Sequence, residues 1–384
     1  MSLLQAAWIS GLLVCGMGVA LLGSVKVALA RRLEMDEVKV GGLVSMFGFA
    51  MIPVMLIMGF LTDLLDKKLV VVAGALLIAA SLVVLARTRR YWAALLAVLL
   101  LSAGWSGLVN VLNVLMQAAF GGTPTYAMNL GNFFFGLGAF LTPLAIAYLL
   151  RKAGFVAAVL VLAVVAVVPG VLACSVDFAA LAGPAHPQAK PDMGALLVDP
   201  IMWLTAIALL FYAPMEATMG AWTTTYLGEK GVSETVASTM LSGFWLAFMV
   251  SRLATALIVS ACPLSASGTS FLIIGLSVFC AVVWLGTVLS PSRGVACLMP
   301  ILAGLAFGPT FPTIIGVLTG HVHESVAGRA VGLFLMVGGV GWYVIPILIG
   351  AYARRASLQK AFLIAVAAGV GLIVTAIALR PYML

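Results

Sequence analysis

The sequence predicts an all-α membrane protein with twelve transmembrane helices in two pseudo-symmetric six-helix bundles. The 384 residues are 64% hydrophobic and only 8% charged, a balance that the core of a water-soluble protein does not need. Apolar runs of about 20 residues recur along the whole chain, and a helix of that length crosses the hydrocarbon layer. A short pattern also occurs twice, at equivalent places in the two halves.

The chain divides into twelve apolar stretches. We place the spans at residues 5–29, 41–64, 69–86, 91–118, 126–150, 155–175, 200–227, 237–261, 270–290, 294–319, 329–353 and 360–379. The first run is too long for a signal peptide and follows no basic residue, so we expect it to be retained. The five cysteines lack metal-ligand spacing, which favours a packing role.

A polar, proline-rich stretch separates the two halves. It contains Pro184, Pro187, Lys190 and Pro191, a combination found nowhere else in the chain. Such a composition is typical of a linker. We therefore predict an N-terminal six-helix bundle at 1–175, a cytoplasmic linker at 176–199 and a C-terminal six-helix bundle at 200–384.

One pattern is shared by the fifth and eleventh spans. Each copy has a glycine, a proline five residues later and two basic residues eight residues after the proline. The copies are Gly138, Pro143, Arg151 and Lys152, then Gly341, Pro346, Arg354 and Arg355. Because each half has an even number of spans, both copies point the same way, which indicates a parallel repeat. The glycines and prolines allow helix bending at a cavity, although ordinary tight packing explains them equally well.

The stretch GFLTDLLDKK joins the second and third spans, at residues 59–68. It resembles the signature loop of the major facilitator superfamily, and the matching positions are Gly59, Leu61, Asp63, Lys67 and Lys68. The resemblance implies a secondary transporter whose two halves surround a central solute cavity.

Asp63 and the two lysines are assigned to a conformational latch on the cytoplasmic side. In the family this carboxylate meets the start of the eleventh span, here near residues 325–329, and a carboxylate can cap a helix N-terminus. A solvated loop acid is the alternative. Two positions depart from the family pattern, since Leu64 replaces a basic residue and Asp66 replaces a glycine.

Further motifs resemble the fucose permease branch, the proton symporters of fucose, galactose and glucose. They are Gly107-Leu108 with Asn113, Asn129-Leu130 with Phe135-Gly136, Tyr212 to Glu216 with Trp222 and Tyr226, Phe244-Trp245 with Ser251-Arg252, and Phe307 to Thr313. The branch uses acids in the first and fourth spans, which are absent here. Its sugar specificity therefore does not transfer to this chain.

Glu216 lies near the middle of the seventh span, and Arg252 lies deep in the eighth. An ionised side chain within the hydrocarbon layer costs several kcal/mol or more, so such residues usually meet a partner charge or a wet cavity. We expect Glu216 and Arg252 to couple transport to protons. A purely structural ion pair is the alternative.

Polar residues on several spans are candidates for solute binding. Amides both donate and accept hydrogen bonds, which suits hydroxyl-rich or zwitterionic ligands, whereas packing of polar residues between helices is the alternative. The predicted binding residues are Asn110, Asn113, Asn129, Tyr212, Glu216 and Trp222.

Several classes of function are not supported by the sequence. There is no nucleotide-binding loop or nucleophile elbow, so we expect neither an enzyme nor a cofactor. His321, His323 and Glu324 are too few and too closely spaced to predict a metal site. The basic residues are scattered over short loops, which suits lipid headgroups rather than nucleic acid.

The predicted function is proton-coupled movement of a small polar solute, either sugar-like or a small organic anion. Export of amphipathic compounds and a non-transporting receptor or assembly factor are the alternatives. We expect a monomer, in contact with the lipid bilayer, in the bacterial cytoplasmic membrane. The family topology, which we adopt on the matched loop positions and the repeat, places eleven basic loop residues outside the cell, against the positive-inside rule.

Overall fold

A computed structural model describes residues 2–178 and 193–384, and every regular element in these residues is helical. Eleven helices in this part of the chain are long and apolar enough to cross a membrane. The predicted proline-rich centre of the linker lies outside the described residues. The last part of the predicted linker forms a short helix, Met193–Val198, which the sequence analysis did not predict.

The helices are numbered in chain order. They are α1 (Leu3–Leu33), α2 (Glu37–Leu64), α3 (Lys67–Arg87), α4 (Tyr91–Val114), α5 (Met116–Phe120), α6 (Pro124–Cys174), α7 (Met193–Val198), α8 (Pro200–Glu229), α9 (Glu234–Ala261), α10 (Ala266–Leu289), α11 (Arg293–His321), α12 (Ala327–Gly339), α13 (Ile345–Ala353), α14 (Leu358–Ala361) and α15 (Leu363–Met383). A π-helical segment, Val340–Val344, joins α12 to α13.

The fifth and sixth predicted spans follow one another in α6 as two helical parts. The backbone of α6 leaves the helical region at Gly154, where φ is +77°. A residue with a Cβ rarely adopts this conformation, so glycine allows the break. The two parts of α6 correspond to the two predicted spans.

The described helices form two compact units. Unit 1 comprises Met1–Gly121, Phe134–Met193 and Val322–Met336, and unit 2 comprises Gly122–Phe133, Gly194–His321 and Val337–Leu384. The chain therefore changes units within α6, after the first residue of α7 and within α12. The predicted boundaries at 175 and 200 stay a prediction.

Aromatic side chains connect helices inside each unit. In unit 1 the Trp8 indole nitrogen donates to the Leu112 carbonyl at 3.1 Å, which joins α1 to α4. In unit 2 the Tyr212 hydroxyl donates to the Phe307 carbonyl at 2.9 Å, which joins α8 to α11. Each bond satisfies a buried polar group where no water is available.

The repeat glycines lie at equivalent close contacts. A Cβ at Gly138 would collide with the Leu13 carbonyl in unit 1. A Cβ at Gly341 would lie 2.8 Å from the Leu210 carbonyl in unit 2. In both units a glycine therefore lets two backbones approach closely, as small residues commonly do in membrane helices.

Gly16 is a second close contact between α1 and α6, because an added Cβ would collide with the Phe135 carbonyl and lie 2.7 Å from the Ala139 nitrogen. We expect Gly16→Ala to destabilise the protein by about 1–3 kcal/mol through overpacking. Thermal unfolding in detergent measures this. Gly23→Ala is the control, since its Cβ would meet nothing within 4 Å; equal melting temperatures for the two variants would contradict the prediction.

Candidate functional site

In unit 1 the Asp63 carboxylate binds the first turn of α12. One oxygen accepts from the Gly328 backbone nitrogen at 2.7 Å. The other accepts from the Arg329 backbone nitrogen at 3.0 Å and from its Nε at 2.8 Å. The Asp63 side chain is fully buried. The carboxylate thus satisfies two unpaired helix donors and one guanidinium at once.

Arg329 is a functional candidate that the sequence analysis missed. Its Nη2 donates to the Ser325 carbonyl at 2.9 Å, and its guanidinium lies 5.6 Å from the centre of the Phe60 ring. Where the family motif has a basic residue, this chain has Leu64, which is 72% exposed. Arg329 therefore supplies the cation for Asp63 from a distant part of the sequence.

Glycines bring α2 and α12 into backbone contact beside Asp63. A Cβ at Gly59 would lie 2.5 Å from the Gly328 carbonyl. A Cβ at Gly332 would lie 2.6 Å from the Met55 carbonyl. Larger residues at these positions would separate the helices and lengthen the Asp63 hydrogen bonds.

The other residues of the loop at 59–68 serve the start of α3. Asp66 caps this helix, because its side chain accepts from the Lys68 nitrogen at 2.7 Å. The Lys68 ammonium donates to the Val176 carbonyl at 3.3 Å. Lys67 is partly exposed. The departure from glycine at residue 66 thus gives α3 an N-cap.

In unit 2 the Glu216 side chain is partly accessible, on α8. It lies near the polar ends of the Tyr212 and Trp342 side chains and within electrostatic range of Arg252. Among the described residues, none of the ion pairs within 4.0 Å includes Glu216. The direct ion pair between Glu216 and Arg252, which the sequence analysis gave as the alternative to proton coupling, is therefore not formed in unit 2.

Arg252 is buried and binds backbone carbonyls. Its Nε donates to Gly308 at 2.8 Å and its Nη1 to Asn132 at 3.1 Å. The guanidinium also lies 4.1 Å from the centre of the Phe248 ring, a cation–π distance. Arg252 on α9 thus joins α11 to the part of α6 that belongs to unit 2.

The three predicted binding amides share one feature. Asn110 donates to the Gly328 carbonyl at 3.0 Å, Asn113 to Val109 at 2.8 Å and Asn129 to Thr125 at 2.9 Å. Each amide oxygen is buried and has no hydrogen-bond partner among the described residues. Each side chain therefore keeps one unused acceptor, which is costly unless another group can reach it.

The amide contacts repeat between the units. The sequence offset that relates Gly138 to Gly341 also relates Asn110 to Thr313 and Thr125 to Gly328. In unit 1 Asn110 contacts Gly328, and in unit 2 Asn129 contacts both Thr125 and Thr313. Within each unit, therefore, the same pair of repeat-equivalent helix positions is in contact.

The remaining sequence candidates have separate surroundings. Trp222 is partly accessible, and its ring lies 2.9 Å from the position that a Cβ on Gly350 would occupy. His321 Nε2 lies 2.7 Å from an Asp199 oxygen, and His323 Nδ1 lies 2.9 Å from the Ser325 hydroxyl. The two histidines thus have different partners.

Comparisons with known proteins identify the family. A model described as the Major Facilitator Superfamily matches residues 8–346. "Bypass of stop codon protein 6" of Saccharomyces cerevisiae is 29% identical over 182 residues, which cover 45% of this chain and 36% of the yeast protein. The match with that curated relative thus spans about a third of its length.

Solved structures share the fold at low sequence identity. The E. coli fucose:proton symporter FucP is 16% identical, with a TM-score of 0.78 over 98% of both chains. A human organic anion transporter is 16% identical, with a TM-score of 0.76 over 97% of this chain and 99% of that one. A bacterial homologue of the iron transporter ferroportin is 15% identical, with a TM-score of 0.78 over 98% and 99%.

The predicted fold class is confirmed, as is the resemblance to the fucose permease branch at the level of fold. The membrane-spanning helices and the family model make this a multi-pass membrane protein. The chain belongs to the major facilitator superfamily, a family of transporters that in general are not enzymes.

Proposed function

We propose that the protein is a secondary active transporter that moves a small polar solute by alternating access and couples this movement to protons through Glu216. The state of the Glu216 side chain carries the proposal. It is an acid within a membrane span, partly accessible, with no ion pair within 4.0 Å among the described residues. Such an acid can take up and release a proton during a transport cycle.

Arg252 links the charge of Glu216 to the helices of unit 2. It lies within electrostatic range of Glu216 and holds the Asn132 carbonyl on α6 and the Gly308 carbonyl on α11. Protonation of Glu216 removes a negative charge that attracts the guanidinium. We infer that the strength of the Arg252 contacts depends on the charge of Glu216. Proton binding therefore favours one conformation of the transporter over another.

The unused amide oxygens favour a solute with hydrogen-bond donors. Asn110, Asn113 and Asn129 each retain a free acceptor, and hydroxyl groups would satisfy it. These oxygens are buried, so the solute reaches them only after helices separate. A sugar-like solute fits this chemistry, and a small organic anion fits the positive charge of Arg252, which forms no ion pair within 4.0 Å among the described residues.

We propose that Asp63, Arg329 and the adjacent glycines form a conformational latch. The hydrogen bonds of Asp63 fix the first turn of α12, and the Asn110 amide binds the same turn. Opening this contact exposes a carboxylate and a guanidinium together. The latch therefore stabilises the closed arrangement without leaving either charge alone.

The protein is a multi-pass membrane protein, and the particular membrane that contains it is a proposal. The bacterial cytoplasmic membrane stays a prediction, and the yeast relative shows that similar sequences occur in eukaryotes. The monomeric state likewise stays a prediction.

Glu216→Gln should reduce pH-driven solute uptake into proteoliposomes at least about tenfold, because the amide cannot exchange a proton. Uptake is measured with a monosaccharide or organic anion that raises the melting temperature of the protein. Glu229→Gln, the same change at the exposed end of α8, should have no effect. Full pH-driven uptake by the Glu216 variant would reject the coupling role.

Asp63→Asn should lower the unfolding free energy by about 3 kcal/mol, since it leaves the largely buried Arg329 without its carboxylate. Denaturation in detergent measures the loss. Asp36→Asn is the same change at the N-cap of α2, where the amide oxygen can still accept from the Lys39 nitrogen, so it should cost less than about 0.5 kcal/mol. Combining Asp63→Asn with Arg329→Gln should recover part of the loss; strictly additive losses would contradict the pairing.

The orientation can be tested with single cysteines at residues 67 and 89, after Cys174, Cys262 and Cys297 are replaced by alanine. Family topology predicts labelling of Lys67→Cys from the cytoplasm and of Arg89→Cys from outside. A membrane-impermeant maleimide applied to intact cells distinguishes the two sides. The reverse pattern would favour the positive-inside rule over the family topology.

A further inference from the structure

We propose that unit 1 binds the headgroup of an anionic phospholipid in a groove beside Arg151 and Lys152. The groove has a volume of about 480 Å³ and is lined by Ala147, Tyr148, Arg151 and Lys152. Both basic side chains are exposed. Among the described residues, no carboxylate lies within 4.0 Å of either one.

The groove belongs to a larger basic surface. The Arg32 guanidinium donates to the Thr88 and Arg87 carbonyls at 3.0 and 3.1 Å and lies 5.5 Å from the centre of the Phe155 ring. These contacts bring the connections after α1 and α3 to the break in α6. In sequence, the segments at 31–39, 87–90 and 151–152 contain eight basic residues and three acids.

The adjacent face of α6 indicates that the ligand is a lipid. Leu141, Leu144 and Tyr148 precede Arg151 on one helical face and are 46%, 58% and 63% exposed. This face runs from leucines through an aromatic ring to two cations. The same order of groups occurs in the bilayer, from acyl chains through the interface to the phosphate.

The exposed Trp92 side chain also indicates that the headgroup level of the membrane lies at this basic surface. Trp92 begins α4 next to the basic connection at residues 87–90 and is 76% exposed. Exposed tryptophan and tyrosine typically mark the headgroup level. A phosphate at that level reaches both Arg151 and Lys152, while its acyl chain lies along Leu144.

The site rests on membrane insertion and does not depend on Glu216 or on transport. Each basic residue near an anionic membrane surface contributes about 1 kcal/mol to the attraction. Loss of two such residues should therefore weaken binding of an anionic lipid about tenfold to thirtyfold. Zwitterionic lipid should bind equally well with and without them.

The test is a lipid titration of purified protein in zwitterionic detergent, followed by melting temperature and native mass spectrometry. Phosphatidylglycerol should raise the melting temperature of the wild type more than phosphatidylcholine does. R151Q/K152Q should lose most of that difference. R354Q/R355Q removes the same charge at the repeat-equivalent position and should keep it.

Three results would overturn the proposal. The first is an unchanged phosphatidylglycerol response in R151Q/K152Q. The second is an equal loss in R354Q/R355Q, which would indicate a general effect of net charge. The third is an equal stabilisation by inorganic phosphate, which would indicate a site for free anions. Equal melting temperatures of all variants without anionic lipid show that the variants are folded.

Discussion

The contact of the Asp63 carboxylate with the start of α12 is the interaction on which unit 1 depends. A helix start has backbone donors without partners inside the helix, and within a membrane protein they must find them in the protein. Asp63 supplies this partner, and its own charge is balanced by Arg329. The contact forms only because Gly59 and Gly332 allow the two backbones to approach.

The two units use different chemistry at equivalent helix positions. In unit 1 a carboxylate and a guanidinium join the helices, together with the amide of Asn110. In unit 2 the equivalent contact is neutral, between Asn129 and Thr313. An exposed charge pair is solvated by water far better than a neutral amide and hydroxyl. The energetic consequences of opening the two contacts therefore differ, although the backbone frame is the same.

Much of the fold could be predicted from the sequence, and the site only in part. Apolar runs and the repeat predict the spans because both are local patterns. The start of α12 at Ala327 falls within the stretch expected to meet Asp63. The role of Arg329 was not predicted, since no local pattern connects residues so far apart. The carbonyl partners of Arg252 were missed for another reason: backbone carbonyls leave no signature in a sequence.

The π-helical segment Val340–Val344 allows a change of register in the helix that carries the second copy of the repeat. A π turn holds one residue more than an α turn, so its conversion to α-helix would rotate everything beyond it by about 100°. Trp342 lies in this segment, near Glu216 and 5.8 Å from the ring centre of Phe311. Rewinding five residues would thus carry the indole away from the acid, a local screw motion that needs no bending of the helix.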